Sequence, residues 1–309
     1  MEPSLERVNL ISRINRIQDV KALIPNNLKI NTCALALIDF DDTLIHSGCP
    51  QAAFLGGIKW RKAVKIAIDS LKKKNITVFK PLFSYLTLFV TMSIKAEPVE
   101  ASTITAIKTL KDAGFELKIF TARGLDCWNM ETLKGIEHLT FKQMEEAGLS
   151  LLFKQKTGTL IGCSYKDKQK VLEELFEKKV IDPAQLSLLA YVDDRQDALP
   201  EISKLAEKYR FSFIGLYYTA SEEKESLGFD LMKSTLHLIN LFEKGRLLTL
   251  EEEKKEEANF NSSNISREQF FENVLLRINR FFLQFHKEAS FKDAEDFFLM
   301  TSNAAKSNF

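Results

Sequence analysis

The chain has 309 residues, 45% hydrophobic and 28% charged, with 43 Lys and Arg against 42 Asp and Glu and a net charge of +1. That is enough chain to bury one large core or two modest ones, and the charge balance carries no global nucleic-acid signature, so no nucleic-acid partner is expected. The four cysteines, Cys33, Cys49, Cys127 and Cys163, lack both CxxC spacing and the density of a disulfide scaffold. Reduced thiols and a cytosolic type of compartment follow.

The first thirty residues carry charges throughout and no apolar core followed by a small-residue cleavage site, so they are read as a helical lead-in without a signal peptide. Residues 34–39, ALALID, form an unbroken apolar run ending in a carboxylate, which predicts a strand covered on both faces. Asp39-Phe40-Asp41-Asp42-Thr43-Leu44 follows at its end. In an open α/β sheet, ligands bind just outside the carboxyl ends of strands. Asp is also common in βα loops as a helix cap and turn former, so this triplet alone has two readings.

In residues 48–100, the segment IKWRKAVKIAIDSLKKK has helical periodicity and a basic face, and Ile76 to Ile94 is almost wholly apolar. About 20 apolar residues span a bilayer. Lys80-Pro81 interrupts this run, which predicts a buried helix or pocket wall instead. Phe79, Phe83, Tyr85 and Phe89 could line a pocket for an aromatic or lipid-like leaving group, or pack in a core.

A helix around Ser102–Ala113, stopped by Gly114, leads to the strand LKIFT, Leu117 to Thr121, and then to Arg123. Residues 148–164 predict a small hairpin around the turn-forming QKTG. The lysine-rich helix start YKDKQKVLEEL offers Lys166, Lys168 and Lys170. The strand Leu186 to Val192 ends at Asp193-Asp194, with Asp197 just beyond, and a further strand spans Phe211 to Tyr218. Strands alternating with helices predict an α/β fold with a parallel, doubly wound sheet.

After residue 228 a helical stretch, LMKSTLHLINLFEKG, gives way to LEEEKKEEANFNSSN, read as a solvated helix end plus linker. Ser266, with Gln269 three residues later, predicts a capping box for a last helix. That helix carries Phe271, Val274, Leu275, Ile278, Phe282 and Phe285 in one stripe, with Arg277, Arg280 and Lys287 elsewhere. It is either a helical hairpin packed on itself or on the α/β body, or a surface for anionic lipid or phosphoinositide. Glu268, Glu272 and Glu288 on the same helix favour packing.

DFDDTL resembles the first signature, DxDx[TV], of the haloacid dehalogenase (HAD) superfamily of phosphatases. The other signatures recur in order: Thr121 ending a strand, a helix-opening lysine best matched by Lys168, and the acidic pair Asp193-Asp194 after another strand. The resemblance covers about residues 30–220. It implies a HAD-like core from 1–47 and 101–227, an inserted helical cap at 48–100 that selects substrates, and a helical carboxyl-terminal region at 228–309.

The resemblance further implies hydrolysis of phosphomonoesters through an aspartyl-phosphate. Asp39 would be the nucleophile and Asp41 an acid and then a base. Thr121 would donate to a phosphoryl oxygen and Lys168 would offset the charge of nucleophile and phosphate together. Arg123 either binds phosphate or pairs with a neighbouring carboxylate. Mg²⁺ would be held by the Asp39 side chain, the Asp41 carbonyl, and Asp193 or Asp194.

The stretch AEPVEASTITAIKTLKDAGFELKIFTARG, with DKQKVLEEL and YVDDRQDAL, is similar to a bacterial branch of the superfamily that includes secreted Legionella effectors. One of these resembles a membrane-associated protein tyrosine phosphatase. That likeness implies a phosphotyrosine protein as substrate, secretion into a host cell, and peripheral membrane association through the carboxyl-terminal helices. The alternatives are a metabolic phosphatase or phosphotransferase acting on small molecules, and a membrane-targeted binding protein with a vestigial catalytic core.

Overall fold

The short apolar runs become strands of one parallel sheet in the computed structural model, which describes residues 7–23, 33–46, 55–123, 136–153, 158–163 and 167–288. Cys49, Cys127 and Lys166 lie outside the described residues, as do the side chains of Phe285, Lys287 and Glu288. In chain order the elements begin with β1 (Asn9–Ile14), a 3-10 turn at Ile17–Asp19, α1 (Val20–Leu23), β2 (Cys33–Ile38), β3 (Ile45–His46), α2 (Ile58–Lys73), α3 (Leu82–Ser93) and β4 (Glu97–Pro98). They continue with α4 (Thr103–Asp112), β5 (Phe115–Thr121), α5 (Ile136–Glu146), β6 (Leu160–Gly162), α6 (Lys168–Glu177), β7 (Leu186–Asp193), α7 (Ala198–Tyr209) and β8 (Ser212–Tyr218). The helices α8 (Ala220–Gly228), α9 (Leu231–Lys244), α10 (Leu250–Asn261) and α11 (Arg267–Glu288) complete the described elements. It divides into one unit of Met1–His46, Pro98–Asn129 and Thr140–Glu223, and a second of Ser47–Glu97, Met130–Leu139 and Lys224–Phe309.

The first unit is α/β: six parallel strands in the order β1-β8-β7-β2-β5-β6, flanked by helices in a Rossmann-like arrangement. β2 lies between β7 and β5, which explains why Ala34 to Ile38 are all buried and why the run is continuously apolar. From β2 the chain proceeds outward to β5 and β6, then returns to the other side of β2 to lay down β7 and β8. The gap between the carboxyl ends of β2 and β7 is therefore the topological switch point, where open α/β sheets bind their ligands. Gly114, at φ 94°, takes the left-handed conformation that ends α4 where the sequence predicts it.

Two local expectations fail in this unit. The expected helical lead-in is helical only over Ile17–Leu23 among the described residues, because Asn9–Ile14 pairs as a strand, residue for residue, with Phe213–Tyr218. The backbone hydrogen bonds of this strand come from a partner some two hundred residues away, and its mostly exposed side chains give it little hydrophobic patterning of its own. The hairpin at 148–164 does not form. Leu149 donates its N–H to Met144 O at the end of α5, whereas Leu160–Gly162 is an edge strand parallel to Ile119–Thr121. The two apolar runs satisfy different partners, and residues 154–157 of the intended turn lie outside the described residues.

The second unit is helical. α2 buries Trp60, Val64, Ala67, Ile68 and Leu71 along one stripe. Pro81 stops the apolar run from being one long helix, and α3 begins just after it at Leu82. The extended stretch before Pro81 has its backbone satisfied by Asn279 of α11, whose Oδ1 accepts from Phe79 N–H at 2.8 Å and whose Nδ2 donates to Thr77 O at 2.9 Å. No helix among the described residues is long and apolar enough to cross a membrane.

Of the two readings of these aromatic residues, pocket wall or core, Phe79, Tyr85 and Phe89 take the core. Phe79 stacks on Phe282 at 5.9 Å, Tyr85 meets Phe282 edge-on at 5.5 Å, and Phe89 lies 4.2 Å from Phe242. Phe83 is half-buried under the Lys65 ammonium. Phe271, Val274, Leu275, Ile278 and Phe282 of α11 are likewise buried inside this unit. Regions 48–100 and 228–309, expected as separate modules, contribute to the same helical unit. Ser266 caps α11 through an acceptor to Gln269 N–H at 3.1 Å.

The Glu-rich segment, read as the end of the preceding helix, is a separate helix of its own. Thr249 and Glu252 form a reciprocal capping box that starts α10, and Glu253 on its inner side is 5% exposed. Glu253 accepts from His237 Nε2 at 2.9 Å and from Lys233 Nζ at 2.7 Å. His237 Nδ1 accepts the Leu248 N–H at 3.2 Å, which makes Nε2 the protonated nitrogen of a neutral ring. Charge periodicity alone hides such a residue, since its partners are on another helix.

Candidate functional site

The site is built at the switch point of the α/β unit. Asp39, the first residue past β2, still donates its N–H to Val192 O of β7 at 2.8 Å, and it is 5% exposed. The chain then turns sharply: Leu44 and Ile45 N–H reach Phe40 O at 3.0 Å, and Asp42 N–H reaches Ile45 O at 2.7 Å. Asp42 sits at φ 63°, a left-handed conformation that costs a non-glycine residue about 1 kcal/mol and that Asp tolerates better than most. Its carboxylate accepts from Ser221 Oγ at 3.1 Å, which holds the loop. Thr43 of the same loop accepts the Asp194 N–H at 3.1 Å, tying the DFDDTL turn to the loop after β7.

Lys168 is the first residue of α6, and its ammonium bridges Asp39 Oδ1 and Asp193 Oδ2, 2.6 Å from each. Of the alternatives, Lys170 is exposed and pairs with Asp167. Asp193, the last residue of β7, is fully buried and also accepts from the Arg195 N–H at 2.8 Å and from the Tyr191 hydroxyl. Asp197 is occupied outside this cluster by an exposed pair with Arg195, at 2.6 Å.

Thr121 ends β5 beside β2, fully buried, and its Oγ1 accepts the Arg123 N–H at 3.2 Å, which leaves its proton to donate. Arg123 takes the carboxylate-pairing option. Its Nε and Nη2 grip the two Asp41 oxygens at 2.8 and 2.7 Å. Nη1 donates to Thr140 Oγ1 at 3.0 Å and Gln143 Oε1 at 2.8 Å, and the guanidinium lies 4.7 Å from the Phe40 ring centre. This fork geometry orients Asp41 in two dimensions, which a lysine could not do.

The electrostatics are those of a crowded anionic site. Burial pushes the Asp39 carboxyl up to about 7, against the pull of Lys168, with Asp193 and Asp41 adding to the rise. Burial alone would lower Lys168, but Asp39 and Asp193 outweigh it and keep the ammonium charged. Tyr191 is held firmly protonated, first by burial and then by Asp193 and Asp39. Carboxylate oxygens of Asp39, Asp193 and Asp194 lie within 4.8 Å of one another. These hard oxygen donors suit Mg²⁺, and the one amine among them offsets only part of their charge. A cavity of about 540 Å³ adjoins the site, with Lys168, Asp193, Arg195 and Ala122 in its walls.

The four segments singled out in the sequence thus contribute to one end of the sheet. Tyr191, Thr140 and Gln143 carry no signature that would reveal them. Tyr191 alone has a trace in the sequence, as a polar-tipped residue two positions before Asp193 in a strand, hence on the same face. No curated protein and no solved structure matches the chain. Over residues 13–255 it matches the model of a family described as a protein of unknown function, DUF2608, and the chain belongs to that family.

Proposed function

We propose that the protein is a phosphohydrolase of the haloacid dehalogenase type, in which Asp39 attacks the phosphorus of a phosphomonoester. The observation that carries this reading is the Lys168 ammonium shared between Asp39 and Asp193 at the switch point, with Asp41 held separately by Arg123. An ordinary structural ion pair requires neither a third carboxylate beside it nor a second, independently oriented acid two residues along.

In this mechanism an Asp39 oxygen forms the bond to phosphorus as the ester P–O bond breaks, and Asp41 gives a proton to the departing oxygen. Water then attacks the aspartyl-phosphate, Asp41 takes its proton, and the P–O bond to Asp39 breaks to release inorganic phosphate. Thr121 donates to a phosphoryl oxygen, and Lys168 keeps the nucleophile and phosphate from repelling each other. Arg123 fixes the direction of the Asp41 carboxyl group through its two-point grip. Asp39, Asp194 and Asp193 would hold Mg²⁺, whose charge would further neutralise the phosphoryl oxygens. The helical insertion is the substrate-selecting cap in this reading, and the likeness to the effector branch supports a phosphotyrosine protein as substrate.

The test is phosphate release with Mg²⁺ from para-nitrophenyl phosphate, phosphotyrosine and phosphoserine peptides, sugar phosphates and nucleotides, with Asp39→Asn beside wild type. Release abolished by chelator and by the substitution is the expected result. Transfer of phosphate to an added sugar or nucleoside acceptor would replace hydrolysis with phosphotransfer. No turnover of any substrate would remove the proposal.

A further inference from the structure

We infer that the Tyr191 hydroxyl is a positioning group for this site, fixing the Asp193 carboxylate and, through it, the Lys168 ammonium against Asp39. Its kinetic consequence rests on the phosphohydrolase reading; its geometric content does not.

β7 is a fully covered strand of a parallel sheet, where an apolar residue is the norm and a buried hydroxyl is costly unless it has a partner. Tyr191 is fully buried there and points to the same face as Asp193, two residues on. Its hydroxyl donates to Asp193 Oδ2, the same oxygen that accepts from Lys168 Nζ at 2.6 Å. The other oxygen, Oδ1, accepts the Arg195 N–H at 2.8 Å. Asp193 is therefore held by three donors from three separate directions. The Lys168 ammonium also lies 5.8 Å from the centres of both the Tyr191 and Phe120 rings, which face each other edge-on at 6.1 Å. Two carboxylates and two ring faces thus define where the ammonium rests.

The hydroxyl matters because Oδ2 is shared. A phenol donating to it withdraws part of the charge that Asp193 would otherwise direct at Lys168, so the ammonium stays balanced between Asp193 and Asp39. Without the hydroxyl, Asp193 pulls on Lys168 alone, and the ammonium moves toward it and away from Asp39. The ring cage and the hydrophobic packing are unaffected, since phenylalanine retains both.

The experiment compares the full-length wild type with Tyr191→Phe and, as a control, Tyr217→Phe, whose hydroxyl donates to the exposed Glu222. Two properties are read: the ¹⁵N-edited ammonium resonance of Lys168, assigned by its loss in Lys168→Met, and the kinetics on para-nitrophenyl phosphate with Mg²⁺. In Tyr191→Phe the Lys168 resonance should shift, and kcat should fall about ten- to a hundredfold with KM within about twofold, as misplacement of a reacting group predicts. Tyr217→Phe should change neither. A Lys168 resonance unmoved in Tyr191→Phe overturns the inference, whatever happens to kcat. A shifted resonance in a protein that shows no turnover supports the positioning role and removes the phosphohydrolase reading.

Discussion

Glu253 and Asp39 are both buried beside cations, and they are buried in opposite ways. Glu253 in the helical unit meets Lys233 and a neutral His237, two donors for one acid. Burial alone would raise its pKa, but these partners outweigh burial and hold it below the usual value of 4.5. Asp39 in the α/β unit shares its one lysine with Asp193 and has Asp41 and Asp194 nearby, so burial and like charge push it up from 3.8 to about 7. The first arrangement stabilises the fold. The second stores unfavourable charge at a strand end, as the proposed function requires of a group that would meet a cation and attack an electrophile.

The comparison breaks most readily at Asp39. Asp39→Asn should cut phosphate release by more than about a thousandfold, because the proposed nucleophile is lost. The same substitution should raise the melting temperature of the chelator-treated protein at pH 8, since it removes a buried charge with too few partners. A lowered melting temperature would mean that Asp39 is a structural residue. Lys168→Met should destabilise by about 3–5 kcal/mol in urea titration, because two buried carboxylates lose their common cation. Glu253→Gln should cost about 1–3 kcal/mol by the same measurement and leave phosphate release unchanged, since it touches only the helical unit.

Metal-free stability against pH sharpens the contrast further. Between 3.8 and about 7 the folded state keeps the Asp39 proton that the unfolded chain has released, so this group makes stability fall as pH rises through that window. Glu253 acts in the other direction: its contribution is present above 4.5 and is lost as pH falls below that value through its depressed folded pKa. Asp39→Asn should abolish the first slope and Glu253→Gln the second. At the small end, Glu272→Ala breaks a pair with the largely exposed Lys74 and should cost at most about 1 kcal/mol.

The legibility of these two regions also differs. Much of the candidate cluster was readable because Asp39, Thr121, Asp193 and Lys168 end a strand or start a helix, and such punctuation is local: ALALI before Asp39, KIF before Thr121, LLAYV before Asp193. Even the choice among Lys166, Lys168 and Lys170 was narrowed by helix position, and the geometry gives Lys168 the bridging role. The Glu253 centre had no such punctuation. Glu253 is one of several glutamates in a charged run, and only the packing of α9 against α10 distinguishes it from its exposed neighbours.

The sequence by itself determined the alternation of strands and helices, the coverage of β2 on both faces, the break at Pro81 and the candidate residues at one end of the sheet. These follow from apolar periodicity and from residues that start or stop elements, both of which act over a few positions. Only the tertiary structure decided that residues 9–14 are a strand, that 148–164 is not a hairpin, that Phe89, Phe281 and Phe282 meet around Phe242, and that Arg123 grips Asp41. Each of those outcomes is settled by a partner distant in the chain, because a backbone edge, an aromatic face or a guanidinium takes whichever complementary group the fold brings within reach.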